Sequence, residues 1–245
     1  MPQQDILIEI QDSAAVVSIN RHERRNALSA DALEHMDAAF ARLETDDSVR
    51  SIVLTGAGGS AFCAGADLEQ GFDATEETVR AIVTRGQAVF QRIEHFPKPV
   101  IAAVTGYAFG GGFELMLACD ISIVEENVSL GQPEVIRGLI PGWGGTQKIP
   151  RIVGKQRALE IMLLGARFRA PQALAMGLVN QVVPRGQGLA AALDLAKKLA
   201  KNPAAPMALI KDAVLRGAAL PLDQALLIEA DNFAAAFKLS DWNKS

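Results

Sequence analysis

Cysteine is nearly absent from this 245-residue chain: Cys63 and Cys119 stand alone, with no spacing that would frame a disulfide scaffold or a zinc site. A reducing, cytoplasmic setting is the expectation, and the opening Met1-Pro-Gln-Gln-Asp5 lacks the basic start and apolar core of an export signal. Histidine is scarce as well. His22, His35 and His95 show no metal-ligand spacing, and without a G-x-S-x-G segment they offer no serine-hydrolase arrangement. Positive charge is not in excess. The 24 Lys and Arg against 28 Asp and Glu leave a net charge of −4, which gives a nucleic acid no broad basic field. The uncharged stretch 99–113 is too short to span a membrane and is broken by Gly106 and by Gly110-Gly111-Gly112. Against these absences stands a hydrophobic content of 49%, ample for the core of one large domain or two small ones.

Strand, turn and helix signals alternate along most of the chain. Residues 6–10 and 14–19 flank Gln11-Asp12-Ser13 and read as a hairpin. Ser29 is an N-cap before Leu33, Met36, Phe40 and Leu43, which recur at helical spacing, with Asp31 in the first turn. Residues 51–55 form a strand pattern entering Gly56-Ala-Gly-Gly59, and 100–105 repeat the arrangement before Gly106. The acidic stretch 68–80 reads as a mobile loop fit to cover a site, leading into a helix over about 76–94. Strands are expected at 121–124, 128–130 and 178–183, and helices at 155–164 and 171–176. After Pro184 only helical patterns remain, at 189–201, 206–216 and 222–238. The fold class is therefore α/β, with a core over 1–185 and a helical region over 186–245.

The most informative segment is 98–114, a strand, a three-glycine turn and an apolar helix. Glycines without a Cβ let an amide of Gly111 or Gly112 approach a ligand, and the helix start adds positive potential there. A second glycine-containing loop, Phe62-Cys-Ala-Gly-Ala-Asp67, is a source for a second amide, and two converging N–H groups make an oxyanion hole. Taken singly, each feature has a plain structural reading. The glycines permit tight packing, Glu114 complements a helix dipole, and Glu134 is an ordinary loop carboxylate. Taken together they supply what water addition beside a thioester needs: a group that activates water, one that exchanges the α-proton, and donors for the enolate oxygen.

The run Val104-Thr-Gly-Tyr-Ala-Phe-Gly-Gly-Gly-Phe-Glu-Leu115, continuing to Cys119-Asp120, then Gly131-Gln-Pro-Glu-Val135 and Ile140-Pro-Gly-Trp-Gly-Gly-Thr-Gln147, resembles the crotonase or enoyl-CoA hydratase/isomerase family. Ala64-Gly-Ala-Asp-Leu68 and Asn26-Ala-Leu28 match too, and the motifs run in the family's order from about residue 5 to the C-terminus. The resemblance implies the crotonase fold of repeated ββα units with a helical C-terminal region. It implies that the amides of Ala66 and Gly111 hold the thioester oxygen, that Glu114 and Glu134 handle the water and the α-proton, and that the Gly142 amide helps to hold the water. Ala64, Ala66, Asp67 and Leu68 would line the CoA path largely through backbone groups, with Arg24 and Arg25 as contacts to the CoA phosphates. Two glutamates at this separation favour hydration of a 2-trans-enoyl-CoA, with isomerisation or another acyl-CoA reaction, or a non-catalytic CoA-binding subunit, as alternatives. The resemblance implies no metal or redox cofactor, CoA arriving with the substrate, and a homotrimer or homohexamer.

The sequence departs from the family pattern in three places. His22 stands where proline is frequent, and Trp143 where a small residue is common, which either reshapes the acyl pocket or packs. The chain ends at Asp241-Trp-Asn-Lys-Ser245, short of the final helical tail of many members, as a truncated chain would. One competing motif has to be weighed. Gly56-Ala-Gly-Gly-Ser-Ala61 fits the dinucleotide pattern G-x-G-x-x-G/A, but that fingerprint needs a helix opening at the glycines, and residues 62–66 read as loop.

Overall fold

In the computed structural model, which describes residues 4–67, 75–240 and 242, the chain begins with the expected hairpin. β1 (Ile6–Gln11) pairs antiparallel with β2 (Ala14–Ile19), and Asp12 takes a positive φ of 54° at the turn. Ser29 caps α1 (Ala30–Glu44): its hydroxyl accepts the Ala32 N–H at 3.1 Å, a contact worth about 1 kcal/mol. Leu33, Met36, Phe40 and Leu43 are all buried, as their spacing requires.

Three strand–strand–helix units follow. The first is β3 (Ser51–Gly56), β4 (Ala61–Cys63) and α2 (Glu76–Glu94). The second is β5 (Val100–Val104), β6 (Tyr107–Phe109) and α3 (Gly111–Met116). The third is β7 (Ile121–Glu125), β8 (Ser129–Gly131), a 3-10 turn at Glu134–Arg137, and α4 (Gly145–Leu163). Then come β9 (Arg167–Arg169), α5 (Ala170–Ala175), β10 (Gln181–Val183), α6 (Gly188–Leu199), α7 (Ala204–Gly217) and α8 (Leu222–Leu239).

The first strand of each unit joins a six-stranded sheet of order β1-β2-β3-β5-β7-β10, parallel apart from β1. The second strand of each unit joins a four-stranded sheet, β4-β6-β8-β9. Every residue of β3 and β5 is buried, the continuous apolar run of a parallel strand covered on both faces. Side-chain alternation divides the two faces. Ile52, Leu54, Val100, Ala102 and Val104 enter the main core with α1, α2 and α3, whereas Val53, Ile101 and Ala103 meet Ala192 and Ala196 of α6 on the other. α7 is moored to the sheet by Lys211, whose Nζ donates to Asp120 Oδ2 at 2.6 Å, and to α8 by Asn232 Nδ2, which donates to the Leu209 carbonyl at 2.9 Å. Among the described residues no helix is long and apolar enough to cross a membrane.

Several expectations need correction. Residues 61–63 are a strand rather than loop, and the three-glycine turn shrinks to Gly110, because Gly111 and Gly112 are the first residues of α3. The helix expected at 155–164 begins at Gly145: a first segment carrying Pro150 joins the second at a kink, where Gly154 adopts φ 76°. The strand expected over 178–183 is confined to Gln181–Val183, with Leu178 and Val179 buried as the chain approaches it. The dinucleotide-like glycines lead from β3 into β4, so no helix opens at them. Of the stretch 68–80, residues 68–74 lie outside the described residues and 76–80 are the opening turn of α2.

Candidate active site

The two glycine-containing loops meet at Gly65 and Gly111. Gly65 has φ +101°, and a Cβ there would sit 3.0 Å from the Phe109 carbonyl oxygen and 3.1 Å from the Gly111 amide nitrogen, so only glycine serves. One residue on, Leu28 holds the backbone on both sides of Ala66. The Leu28 N–H donates to the Gly65 carbonyl at 2.8 Å, and the Asp67 N–H donates to the Leu28 carbonyl at 2.9 Å. In such a bridge the enclosed residue turns its own N–H the other way, which leaves the Ala66 amide facing away from Leu28. Gly111 opens α3, where the first N–H groups have no carbonyl one turn back. Neither amide donates to a turn or loop carbonyl among the described residues. Cys63 packs beneath, its carbonyl where a Gly112 Cβ would fall; burial pushes its thiol up to about 12, so it stays a protonated packing group.

Glu114, the fourth residue of α3, is 1% exposed. Its Oε1 accepts the Trp143 N–H at 2.9 Å and the Gly145 N–H at 2.6 Å, a two-amide clamp made possible by Gly144, which turns the loop with φ +121°. Burial pushes the carboxyl up to about 7 against the pull of those amides, and the nearby Glu134 charge pushes the same way.

Glu134 begins the 3-10 turn and is half-buried, and burial raises its carboxyl as well. Its Oε1 lies over Gly110, where a Cβ would come within 2.8 Å; Gly110 meets the chain's need there with φ +56°. The Gly110 carbonyl in turn accepts the Glu114 N–H at 3.0 Å, so a single glycine lies between the two carboxylate-bearing segments. Glu134 Oε2 is buried without a hydrogen-bond partner among the described residues. A buried oxygen of this kind is costly in a purely structural carboxylate.

This constellation can be set against known proteins. The family model for enoyl-CoA hydratase/isomerase matches residues 9–245. The chain belongs to that family. It is 39% identical to the short-chain-enoyl-CoA hydratase of Clostridium acetobutylicum over 98% of this chain and 92% of that protein. It is 37% identical to the crotonyl-CoA hydratase of Syntrophomonas wolfei over 98% of this chain and 93% of that protein. The crystal structure of an enoyl-CoA hydratase from Bacillus anthracis superposes with a TM-score of 0.93 at 37% identity, covering 97% of this chain and 93% of that one. The ββα spiral is thus the crotonase fold expected from the motifs.

Of the residues expected on the CoA side, Arg24, Arg25, Ala64, Ala66 and Asp67 lie on two adjoining segments. The Ala64 N–H donates to the Arg25 carbonyl at 3.1 Å, which lays residues 24–26 against the Ala64–Ala66 loop; Arg24 and Arg25 are exposed. Arg25 and Asn26 both take positive φ, 56° and 57°, and buried Asn26 stabilises that bend by donating to the Ala57 and Ala61 carbonyls at 2.9 and 2.7 Å. Asp67 turns its carboxylate inward to Arg21 Nη2 at 2.9 Å, while its N–H is taken by the Leu28 carbonyl. Leu68 lies outside the described residues. Gly142 sits in the loop that clamps Glu114, with its carbonyl accepting from Gln87 Nε2 at 2.8 Å. Among the described residues no group of three or more His, Cys, Asp or Glu is placed to hold a metal.

Sequence reasoning missed three contributors to this family site. The Trp143 and Gly145 amides, rather than a side chain, hold Glu114. With its amide turned so that the nitrogen faces the two carbonyls, the orientation that satisfies both ends of the group, buried Gln132 donates to Gly110 at 3.0 Å and Gly131 at 3.3 Å, bracing the loop under Glu134. Gly86, in the middle of α2, leaves room for the Trp143 ring, which would overlap any Cβ there. Its one sequence signal was a glycine inside an otherwise regular helix pattern, a choice that costs about 0.5–1 kcal/mol relative to alanine.

Proposed function

We propose that the chain catalyses the reversible hydration of a 2-trans-enoyl-CoA to a 3-hydroxyacyl-CoA. The observation that carries this reading is the pairing of Glu114 and Glu134 across Gly110, beside the Ala66 amide that faces away from Leu28 and the Gly111 amide at the start of α3. The thioester oxygen accepts from those two N–H groups, which take up the negative charge that develops when oxygen adds at C3. Water lies between the carboxyl groups with the Gly142 amide as a further donor. One carboxylate takes a proton from it as the C3–O bond forms, and the other carboxyl delivers a proton to C2; no atom is left over and no oxidant is required. Burial pushes both carboxyl groups upward, which favours keeping one protonated as the proton donor while the other acts as the base, and this supports the division. Retention of both glutamates and the activities named for the two relatives favour hydration over isomerisation or mere CoA binding.

This chemistry needs no resident metal or redox cofactor, CoA being part of the substrate. The reduced thiols fit a cytoplasmic enzyme. A homotrimer or homohexamer is the assembly that the family resemblance implies, and large apolar side chains exposed beside Glu134 (Ile136 at 68%, Ile140 at 77%) and on α7 and α8 (Ile210 at 65%, Phe233 at 72%) are available for contact between copies, without fixing their number. Light scattering coupled to size exclusion reads that directly. For the reaction, incubation with crotonyl-CoA in 18O-water is the test: 3-hydroxybutyryl-CoA with label at C3 is expected. Binding without turnover, or migration of a 3-enoyl double bond without hydration, would replace this reading by one of the alternatives.

A further inference from the structure

The Trp143 indole fills the space beside the thioester site. The residue is 4% exposed, and its ring would overlap a Cβ on Gly111 at one edge and a Cβ on Gly86 at the other. It meets Phe90 of α2 edge to face, with centroids 5.3 Å apart and planes at 71°. The indole therefore bridges the start of α3 and the middle of α2, in a slot opened by two glycines. Its backbone N–H holds Glu114, so ring position and carboxylate position are set by one residue.

If the site is read as a hydratase site, its direction follows. CoA enters past Ala64 and Arg25, the thioester oxygen rests at Ala66 and Gly111, and the double bond lies at Glu114 and Glu134. Carbons beyond C3 then run towards the 141–145 loop and α2, where Val83 lies 3.5 Å from the position of a Gly142 Cβ and the indole is seated between Gly86 and Gly111. We propose that Trp143 is a specificity-determining residue whose ring closes the acyl end of the pocket, restricting the enzyme to enoyl thioesters that end within a few carbons of the double bond. Aliphatic chains that would need to pass between Gly86 and Gly111 meet a ring fixed on three sides, and a packed interior has no spare volume into which that ring can retreat.

The test compares kcat/KM for trans-2-enoyl-CoA esters of four, six, eight and ten carbons in the native chain and in Trp143→Ala and Trp143→Phe. The native chain is expected to lose roughly 100-fold or more between four and ten carbons, since pocket walls discriminate by about tenfold or more per misfit group. Trp143→Ala is expected to narrow that ratio at least tenfold, with Trp143→Phe between the two. Equilibrium binding of saturated butyryl-CoA to decanoyl-CoA should follow the same order, a readout that needs neither turnover nor an intact Glu114. Equal kcat/KM at all lengths in the native chain, or a ratio unmoved by Trp143→Ala in both kinetics and binding, overturns the inference while leaving hydration standing. Length-selective binding with no hydration of any ester would instead sink the hydratase reading and retain Trp143 as the gauge of chain length.

Discussion

The Gly145 backbone N–H donates to Glu114 Oε1 at 2.6 Å, so the first carboxylate of the pair is held by the loop that follows the second one in the chain. The 141–145 loop and α3 are thereby joined at Glu114, while Glu134 reaches the same place over Gly110.

Glu114 ties stability to pH. Its carboxyl is raised from 4.5 to about 7, so between those values the folded chain binds more protons than the unfolded one, and stability falls as pH rises through that window. The stability lost on ionising the buried group is on the order of 3 kcal/mol. Glu114→Gln, which cannot ionise, should gain Tm relative to the native chain as pH is raised from 5 to 8, with little difference near 4.5. Thermal melts across that range check the sign; a Tm difference independent of pH would contradict it.

Gly110→Ala should lower kcat. A Cβ there comes within 2.8 Å of Glu134 Oε1 and is strained at φ +56°, so the carboxylate must shift. A displacement of about 1 Å can cost on the order of 100-fold in rate. Gly177→Ala serves as the comparison, since Gly177 has φ +75° but nothing within 4 Å. It should cost about 1–2 kcal/mol of stability, from left-handed strain alone, and leave kcat unchanged.

Arg21 links the N-terminal segment to the Ala66 loop, bonding Asp67 Oδ2 at 2.9 Å and Asp5 Oδ1 at 3.3 Å and donating to the Ala27 carbonyl. Arg21→Met strands the 4%-exposed Asp67 carboxylate and should destabilise the fold by roughly 3–5 kcal/mol. Because Asp67 adjoins Ala66, KM for the CoA ester should rise as well. Urea titration and steady-state kinetics separate the two effects, and the double variant Arg21→Met/Asp67→Leu should recover most of the stability.

Arg24 and Arg25 are exposed beside Ala64, and contact with CoA phosphates from such positions is worth little apiece. Replacing either with alanine should raise KM roughly two- to five-fold at low salt, with kcat unchanged, and the difference should vanish near 1 M salt. A salt-independent effect would point to packing.

Long periodic elements were legible in the sequence. The helix at 76–94 and the Ser29 cap lie where spacing and capping chemistry put them, because both signals are local. Of the second sheet only β8 was: β4, β6 and β9 are three residues each, too short for any period, and exist because neighbouring units present paired edges. At the site, the glycines and carboxylates were readable as residue types. Which backbone amides reach Glu114 was not, since that depends on the Gly144 turn and on a contact between segments about thirty residues apart. Trp143 was visible as a departure from the family pattern, but its seat against Gly86 joins two positions whose relation only the fold reveals.

The most direct measurement is the loss of conjugated enoyl-thioester absorbance with crotonyl-CoA, comparing the native chain with Glu114→Gln and Glu134→Gln. The two-carboxylate account predicts rapid loss in the native chain and a fall in kcat of about 10²–10⁴-fold in each variant, with CoA-ester binding and folding retained. Native-like rates in either variant, or no absorbance loss in the native chain with crotonyl-CoA or longer and branched enoyl-CoAs, would contradict it.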